Sequence, residues 1–228
     1  MDWVKNYELF LFDFDGLLVN TEHIHYQAYV NTLKRRGYAL DWNFLEFCKN
    51  AHYESSGLEE SIYAKFPKLQ EEEPSWKVLY EEKKRAYLSL LQSGKVELMP
   101  GVLDLLTHLQ ENKKQSCVVT NSLKEQTDLI QAQLPILKTI SHWITRGDYE
   151  FPKPNPECYF RAIKLFSKPG DRIIGFEDTI KGLKALLKTS ARSILICPKD
   201  HPQLSAITDT SISHFNSFTD LEQQGVRI

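Results

Sequence analysis

The stretch Leu9-Phe10-Leu11-Phe12-Asp13-Phe14-Asp15-Gly16 decides the reading of this chain. Four apolar residues in a row, with a glycine close behind, predict a short buried strand that stops at a sharp turn. Asp13 and Asp15, separated by one residue, point the same way at the strand's exit. A buried central strand carries two carboxylates there only where a cation or a reaction occupies them. Taken alone, a D-x-D-G is also what a turn cap or chance produces, so its weight comes from the rest of the chain.

Further strand-like runs follow at Gln115 to Thr120, His142 to Thr145, Arg172 to Glu177 and Arg192 to Cys197. Helical patterns lie between them at Val102 to Gln110, Leu123 to Leu134, Glu157 to Phe166 and Ile180 to Leu187. Such alternation predicts an α/β fold: a doubly wound parallel sheet, Rossmann-like in its core. The stretch from about Glu22 to Gly94 breaks the rhythm. Its apolar residues, among them Leu33, Phe47, Ile62, Tyr63, Leu79, Tyr87 and Leu91, fall in helical stripes. The expected organisation is therefore a catalytic α/β core of residues 1–18 and 97–228 with an inserted α-helical cap of residues 19–96. Within the insert, Pro67 and Pro74 flank Lys68-Leu69-Gln70-Glu71-Glu72-Glu73, which reads as a charged break and solvated helix junction.

Composition narrows the class. The chain has 228 residues, is 42% hydrophobic and 25% charged, and carries a net charge of −2. That balance is ordinary for a globular protein and offers no basic field for nucleic acid or an anionic membrane. No run approaches membrane-spanning length and no signal peptide is recognisable. Cys48, Cys117, Cys158 and Cys197 form no C-x-x-C pair. A zinc site or disulfide frame is not expected, and a reducing cytoplasm is.

Four clusters fall where parallel strands end, which is where open sheets of this kind place their ligands. Asp13 and Asp15 are the first. Thr120-Asn121-Ser122 closes the second strand and opens a helix, where hydroxyls and free N–H groups suit a phosphate; a plain N-cap by Asn121 or Ser122 is the alternative. Lys153 is set among Pro152, Pro154 and Pro156, which fix the backbone around it, although a surface lysine would read the same way. Glu177-Asp178 could complete an oxygen site for Mg²⁺ with a carboxylate from another strand, or Asp178 or Thr179 could simply cap the next helix.

Together these parts suit phosphoryl transfer. A phosphate ester repels an attacking carboxylate, so a divalent cation and a lysine must first neutralise charge before Asp13 approaches phosphorus. Asp15 is placed to give a proton to the leaving oxygen and then to take one from water.

The ordered set resembles the haloacid dehalogenase superfamily, specifically its phosphatases with a small helical cap, the β-phosphoglucomutase-like branch. The resemblance runs from about Leu9 to Cys197. It implies that Asp13 is the nucleophile and Asp15 the acid/base, and that Thr120 binds phosphoryl oxygens with Asn121 and Ser122 nearby. It further implies that Lys153 is the lysine of the K-P-x-P motif and that Glu177 and Asp178 hold Mg²⁺ with Asp13; Asp15 is counted with the metal group. The insert would be a lid that closes over the substrate and excludes water. His25, early in the insert, would contact substrate or Asp15, or be a partly buried structural histidine; Glu22 would help position the loop. His23 and His52 are expected to do no chemistry.

Departures from the pattern are Asn20 where aspartate is frequent, Pro152 where glycine precedes K-P, and Leu186, Thr189 and Ser190 after the retained Gly182 and Ala185. None touches a catalytic atom. Asp15 argues against a halide-removing enzyme. A hexose-phosphate mutase would need cationic insert residues for a second phosphate, and the stretch from Lys49 through Tyr53 and Glu54 to Glu60 is net acidic. A phosphonate hydrolase would need an early insert lysine, and none precedes Lys34. A non-catalytic binding protein would have lost Asp13, Asp15 or Lys153. The expectation is a cytoplasmic, monomeric, Mg²⁺-dependent phosphatase of small phosphorylated metabolites (a sugar phosphate, a nucleotide or a phosphoglycolate-like ester).

Overall fold

Leu9–Phe12 forms β1, and all of its side chains are buried. A strand with no polar face must lie in the middle of a sheet covered on both sides. A computed structural model, which describes residues 1–52, 57–199, 201, 204 and 212–224, shows that arrangement. Strands β2 (Gln115–Val119), β3 (His142–Ile144), β4 (Ile173–Glu177), β5 (Arg192–Ile196) and β6 (Ser213–Phe215) join β1 in the order β3-β2-β1-β4-β5-β6. Every pairing is parallel. The chain winds outward through β2 and β3, returns to the other side of β1, and continues through β4 to β6, so its topological switch lies beside β1. The doubly wound parallel α/β sheet expected from the alternation is present. Strand β6 was not foreseen.

Alternate residues of β1 serve two cores. Phe10 and Phe12 face an aromatic layer in which Phe12 stacks on Phe176 at 5.3 Å and Phe218 meets both rings edge-on at 6.1 and 5.3 Å. Leu9 and Leu11 face the opposite core with Cys117, Val119, Ile144, Cys158, Tyr159, Ala162 and Leu186. The helices flanking the sheet are α6 (Val102–Glu111), α7 (Lys124–Gln133), α8 (Glu157–Phe166), α9 (Ile180–Leu186) and α10 (Phe218–Gln224).

The chain divides into two compact units, Met1–Asn20 with Val96–Ile228, and Thr21–Lys95. Where the first unit is interrupted its two ends are stitched together: Met99 N–H donates to Leu18 O at 3.0 Å and Asn20 N–H to Glu97 O at 2.9 Å. The second unit is helical, with α1 (Glu22–Arg35), α2 (Phe44–His52), α3 (Gly57–Lys65), α4 (Pro67–Glu72) and α5 (Trp76–Ser93). Its core gathers Tyr29, Leu33, Phe47, Ile62, Tyr63, Leu69 and Leu79. The proline-flanked charged segment is not a break but the helix α4, with Pro67 at its start, where a missing N–H costs nothing, and Leu69 fully buried. Glu71 and Glu72 are exposed, while Glu73 turns back toward Arg36 at 3.5 Å. Tyr53 and Glu54 lie outside the described residues, as does the side chain of His52. Among the described residues no helix is long and apolar enough to cross a membrane, and Cys48, Cys117, Cys158 and Cys197 are buried and form no disulfide with one another.

Gly101, which precedes α6, tests how tightly the first unit closes. Its φ is +83°, and a Cβ there would lie 2.4 Å from Thr219 N and 2.7 Å from Phe218 C. Gly170 has φ +93° with open space around it. Both alanine variants carry the left-handed strain of about 1–2 kcal/mol, but only Gly101→Ala must also move the α10 backbone. Denaturant unfolding should show Gly101→Ala to be less stable than Gly170→Ala by at least about 1 kcal/mol.

Candidate active site

Strand register assembles the site. Phe12 pairs with both Val118 and Phe176, and one step on Asp13 N–H donates to Phe176 O at 3.0 Å. Asp13 therefore emerges beside Glu177, the last residue of β4. Leu9 and Leu11 pair with Ile173 and Gly175, so the two-residue period directs Asp13 and Glu177 to the face that α8 covers.

Lys153, carried on the loop between β3 and α8, meets them there. Its ammonium donates to Asp13 Oδ1 at 2.5 Å, Glu177 Oε1 at 2.6 Å and the Val119 carbonyl at 2.8 Å. Three N–H groups have three acceptors, so Lys153 binds carboxylates rather than pointing a spare donor outward. The prolines do not hold this loop alone. Asn121 Oδ1 accepts from Lys153 N–H at 3.3 Å and lies 2.6 Å from the Tyr149 hydroxyl. The Glu157 carboxylate accepts the N–H groups of Glu150 at 3.0 Å and Phe151 at 2.8 Å, bonds that lower its pKa. Asn121, expected at the phosphate, thus has its side-chain oxygen committed to bracing the lysine loop.

Thr120 is buried at the exit of β2, and its Oγ1 accepts the N–H of Ser122 at 2.9 Å. Its own hydroxyl proton meets no acceptor among the described residues. Ser122 Oγ donates to Asp15 Oδ2 at 2.5 Å. Neither Asn121 nor Ser122 caps the following helix: α7 starts after Leu123, whose N–H is taken by Gln126 Oε1 at 3.1 Å. The capping alternative does hold after β4, where Thr179 caps α9 by accepting from Gly182 N–H at 3.2 Å. That leaves the Asp178 carboxylate for the site.

Asp13, Glu177 and Asp178 each bring an oxygen within 4.8 Å of the others. Asp15, counted with the metal group in the sequence reading, does not join this set; its carboxylate is turned to Ser122. His25 belongs to the helical unit, where Nδ1 lies 2.7 Å from Lys83 Nζ and the ring stacks on Tyr87 at 4.1 Å.

Two further residues shape Glu177 and were not singled out from sequence for that task. Tyr159 donates its hydroxyl to Glu177 Oε1. Gly182 leaves room for the carboxylate, since a Cβ there would fall 1.9 Å from Oε2. Tyr159 lies on the apolar stripe of α8 and reads as core; its polar duty has no separate sequence signal.

Burial raises the pKa of Glu177 to about 7, against the pull of Lys153 and with the Asp13 charge adding to the rise. Burial also raises Asp13, opposed by Lys153. Burial alone would lower Lys153, but the charges of Asp13 and Glu177 hold it well above the ordinary lysine value. Lys153 pairs with Asp13 and Glu177, and with Asp178 beside them one ammonium cannot offset all three carboxylates once ionised. Glu177 Oε2 is buried without a hydrogen-bond partner, and the donors are all hard oxygens. The residues fit a divalent cation of the Mg²⁺ type.

Residues 10–196 match the family model for haloacid dehalogenase-like hydrolases. Among curated relatives, Protein CbbY of Rhodobacter capsulatus is 27% identical over 81% of this chain and 83% of its own. Validoxylamine A 7'-phosphate phosphatase of Streptomyces hygroscopicus subsp. limoneus is 26% identical over 78% and 80%. In fold, the chain is similar to CbbY from Rhodobacter sphaeroides solved in complex with xylulose-(1,5)bisphosphate, with a TM-score of 0.71 and 22% identity over 94% of this chain and 96% of that one. By sequence and by fold, this chain belongs to the haloacid dehalogenase-like hydrolases.

Proposed function

We propose that this hydrolase is a Mg²⁺-dependent phosphatase of small phosphorylated metabolites, working through a phosphoryl group carried on Asp13. The observation that carries the reading is the meeting of Asp13, Glu177 and Asp178 at the sheet's carboxyl edge, with Lys153 joined to the first two. The phosphorylated compounds in the names of its relatives and neighbours, a 7'-phosphate and a sugar bisphosphate, support the substrate class. Four buried cysteines that form no disulfide with one another agree with a reducing compartment such as the cytoplasm.

In this reading the Asp13 carboxylate attacks phosphorus, forming a new P–O bond while the ester P–O bond breaks. Asp15 gives its proton to the leaving oxygen. Asp15, now a carboxylate, takes a proton from water as that water attacks the phosphoryl group on Asp13, releasing phosphate and restoring both aspartates. Thr120 offers its hydroxyl proton to a phosphoryl oxygen. Lys153 holds Asp13 in the attacking position and offsets its charge. A bound Mg²⁺, held by Asp13, Glu177 and Asp178, would neutralise charge on the phosphoryl oxygens.

The test is turnover of p-nitrophenyl phosphate and of a panel of sugar and nucleotide monophosphates. Excess chelator should abolish it and Mg²⁺ restore it. Asp13→Asn should remove turnover and the covalent phosphoryl group together. Asp15→Asn should lose ~10²–10⁴-fold on alkyl phosphates, yet still become phosphorylated by an activated aryl or acyl phosphate, as mass spectrometry after a quench would show on the Asp13 peptide. Near wild-type turnover in Asp13→Asn, or full activity in chelator, overturns the reading.

Lys153 should also matter to folding. Lys153→Met keeps the buried stem but leaves Asp13 and Glu177 without their cation. Removing one partner of a buried ion pair costs about 3–5 kcal/mol, which urea unfolding in chelator should reveal. Added Mg²⁺ should recover part of that loss in the variant.

A further inference from the structure

We infer that Tyr159 is a positioning residue that prepares Glu177 to meet a cation with one chosen oxygen. The inference rests on reading Asp13, Glu177 and Asp178 as the cation site.

The two oxygens of Glu177 have unlike surroundings. Oε1 accepts from the Tyr159 hydroxyl and from Lys153 Nζ at 2.6 Å. Two donors use up the lone pairs of that oxygen. Oε2 is buried, has no hydrogen-bond partner, and occupies the space where Gly182 lacks a Cβ. The carboxylate is thus anchored by hydrogen bonds at one oxygen and has none at the other. Lys153 does not serve Glu177 alone, because its ammonium is shared with Asp13 Oδ1 and Val119 O. Tyr159 supplies a second anchor from a different element, α8, whose ring is fully buried beneath the sheet. It is also a neutral donor, so it orients the carboxylate without adding positive charge that a cation would have to overcome.

A tyrosine serving only as core would be replaced by phenylalanine without consequence, since ring, packing and the 4.8 Å approach of Lys153 Nζ to the ring all survive. Tyr159→Phe removes the one donor and is the decisive variant. Mn²⁺ binding, followed by the spectroscopic signal of the free ion, should weaken about 10-fold or more, the usual penalty for losing a partner of a ligating carboxylate. The Mg²⁺ concentration giving half-maximal hydrolysis of p-nitrophenyl phosphate should rise by the same factor, with kcat at saturating Mg²⁺ falling by less. In a Glu177→Gln background, Tyr159→Phe should produce no further loss of Mn²⁺ affinity. Wild-type affinity in Tyr159→Phe, or an equal added loss in the double variant, overturns the inference. Failure of the wild-type protein itself to bind Mn²⁺ overturns the cation-site reading, and the role of Tyr159 with it.

Discussion

The ammonium of Lys153, held between Asp13 and Glu177, is the contact on which the rest of the site depends. Two carboxylates brought together under a packed helix would otherwise repel each other and give up their charge. One lysine cannot balance Asp13, Glu177 and Asp178 together when all three are ionised, and the remaining negative charge suits the proposed divalent cation. The buried Glu177 shows the tension directly, with its pKa raised to about 7 despite a lysine within hydrogen-bonding distance.

This arrangement is an outcome of sheet geometry more than of loop design. Parallel register sets Asp13 beside Glu177, and the two-residue period puts both on the face that α8 covers. The same helix brings Tyr159, and the loop before it brings Lys153, so one short segment supplies two of the donors that Glu177 needs. Gly182 completes the fit from α9 by having no side chain. Its N–H meanwhile donates to the Thr179 cap, so one glycine both helps start the helix and clears space for the carboxylate.

How much of this could be read from sequence depended on how loudly each residue type speaks. Apolar runs such as Leu9–Phe12 and residues 173–176 announce buried strands, and the alternation with helical stripes announces a parallel sheet. Ser213–Phe215 contains one apolar residue in three and gives no such signal; it becomes a strand because β5 offers it an edge. Pro67 looked like a breaker, yet proline is at home in a first helical turn. Asn121 and Ser122 were legible as polar residues at a strand end, but not in their partners, which come from Tyr149 and the lysine loop in one case and from Asp15 in the other. Tyr159 was invisible for the opposite reason: its ring obeys the apolar stripe of α8, and only the three-dimensional fold shows where its hydroxyl goes.

Asp13 and Asp15 are chemically identical and two residues apart, and their different proposed roles follow from surroundings alone. Asp13 leaves β1 still in register, its N–H bonded to Phe176, and its carboxylate is drawn under the sheet to Lys153. Asp15 lies past that register, beside Gly16 with its φ of +79°, and its carboxylate accepts from the neutral hydroxyl of Ser122. A carboxylate held against an ammonium and two other carboxylates is suited to stay ionised once a cation arrives, which is what a nucleophile requires. A hydroxyl beside a carboxyl can donate to the ion or accept from the acid. In the proposed reaction the strand's end thus gives attack and proton transfer to two carboxylates on either side of Phe14, which is fully buried and packed edge-on to Trp143 at 5.3 Å.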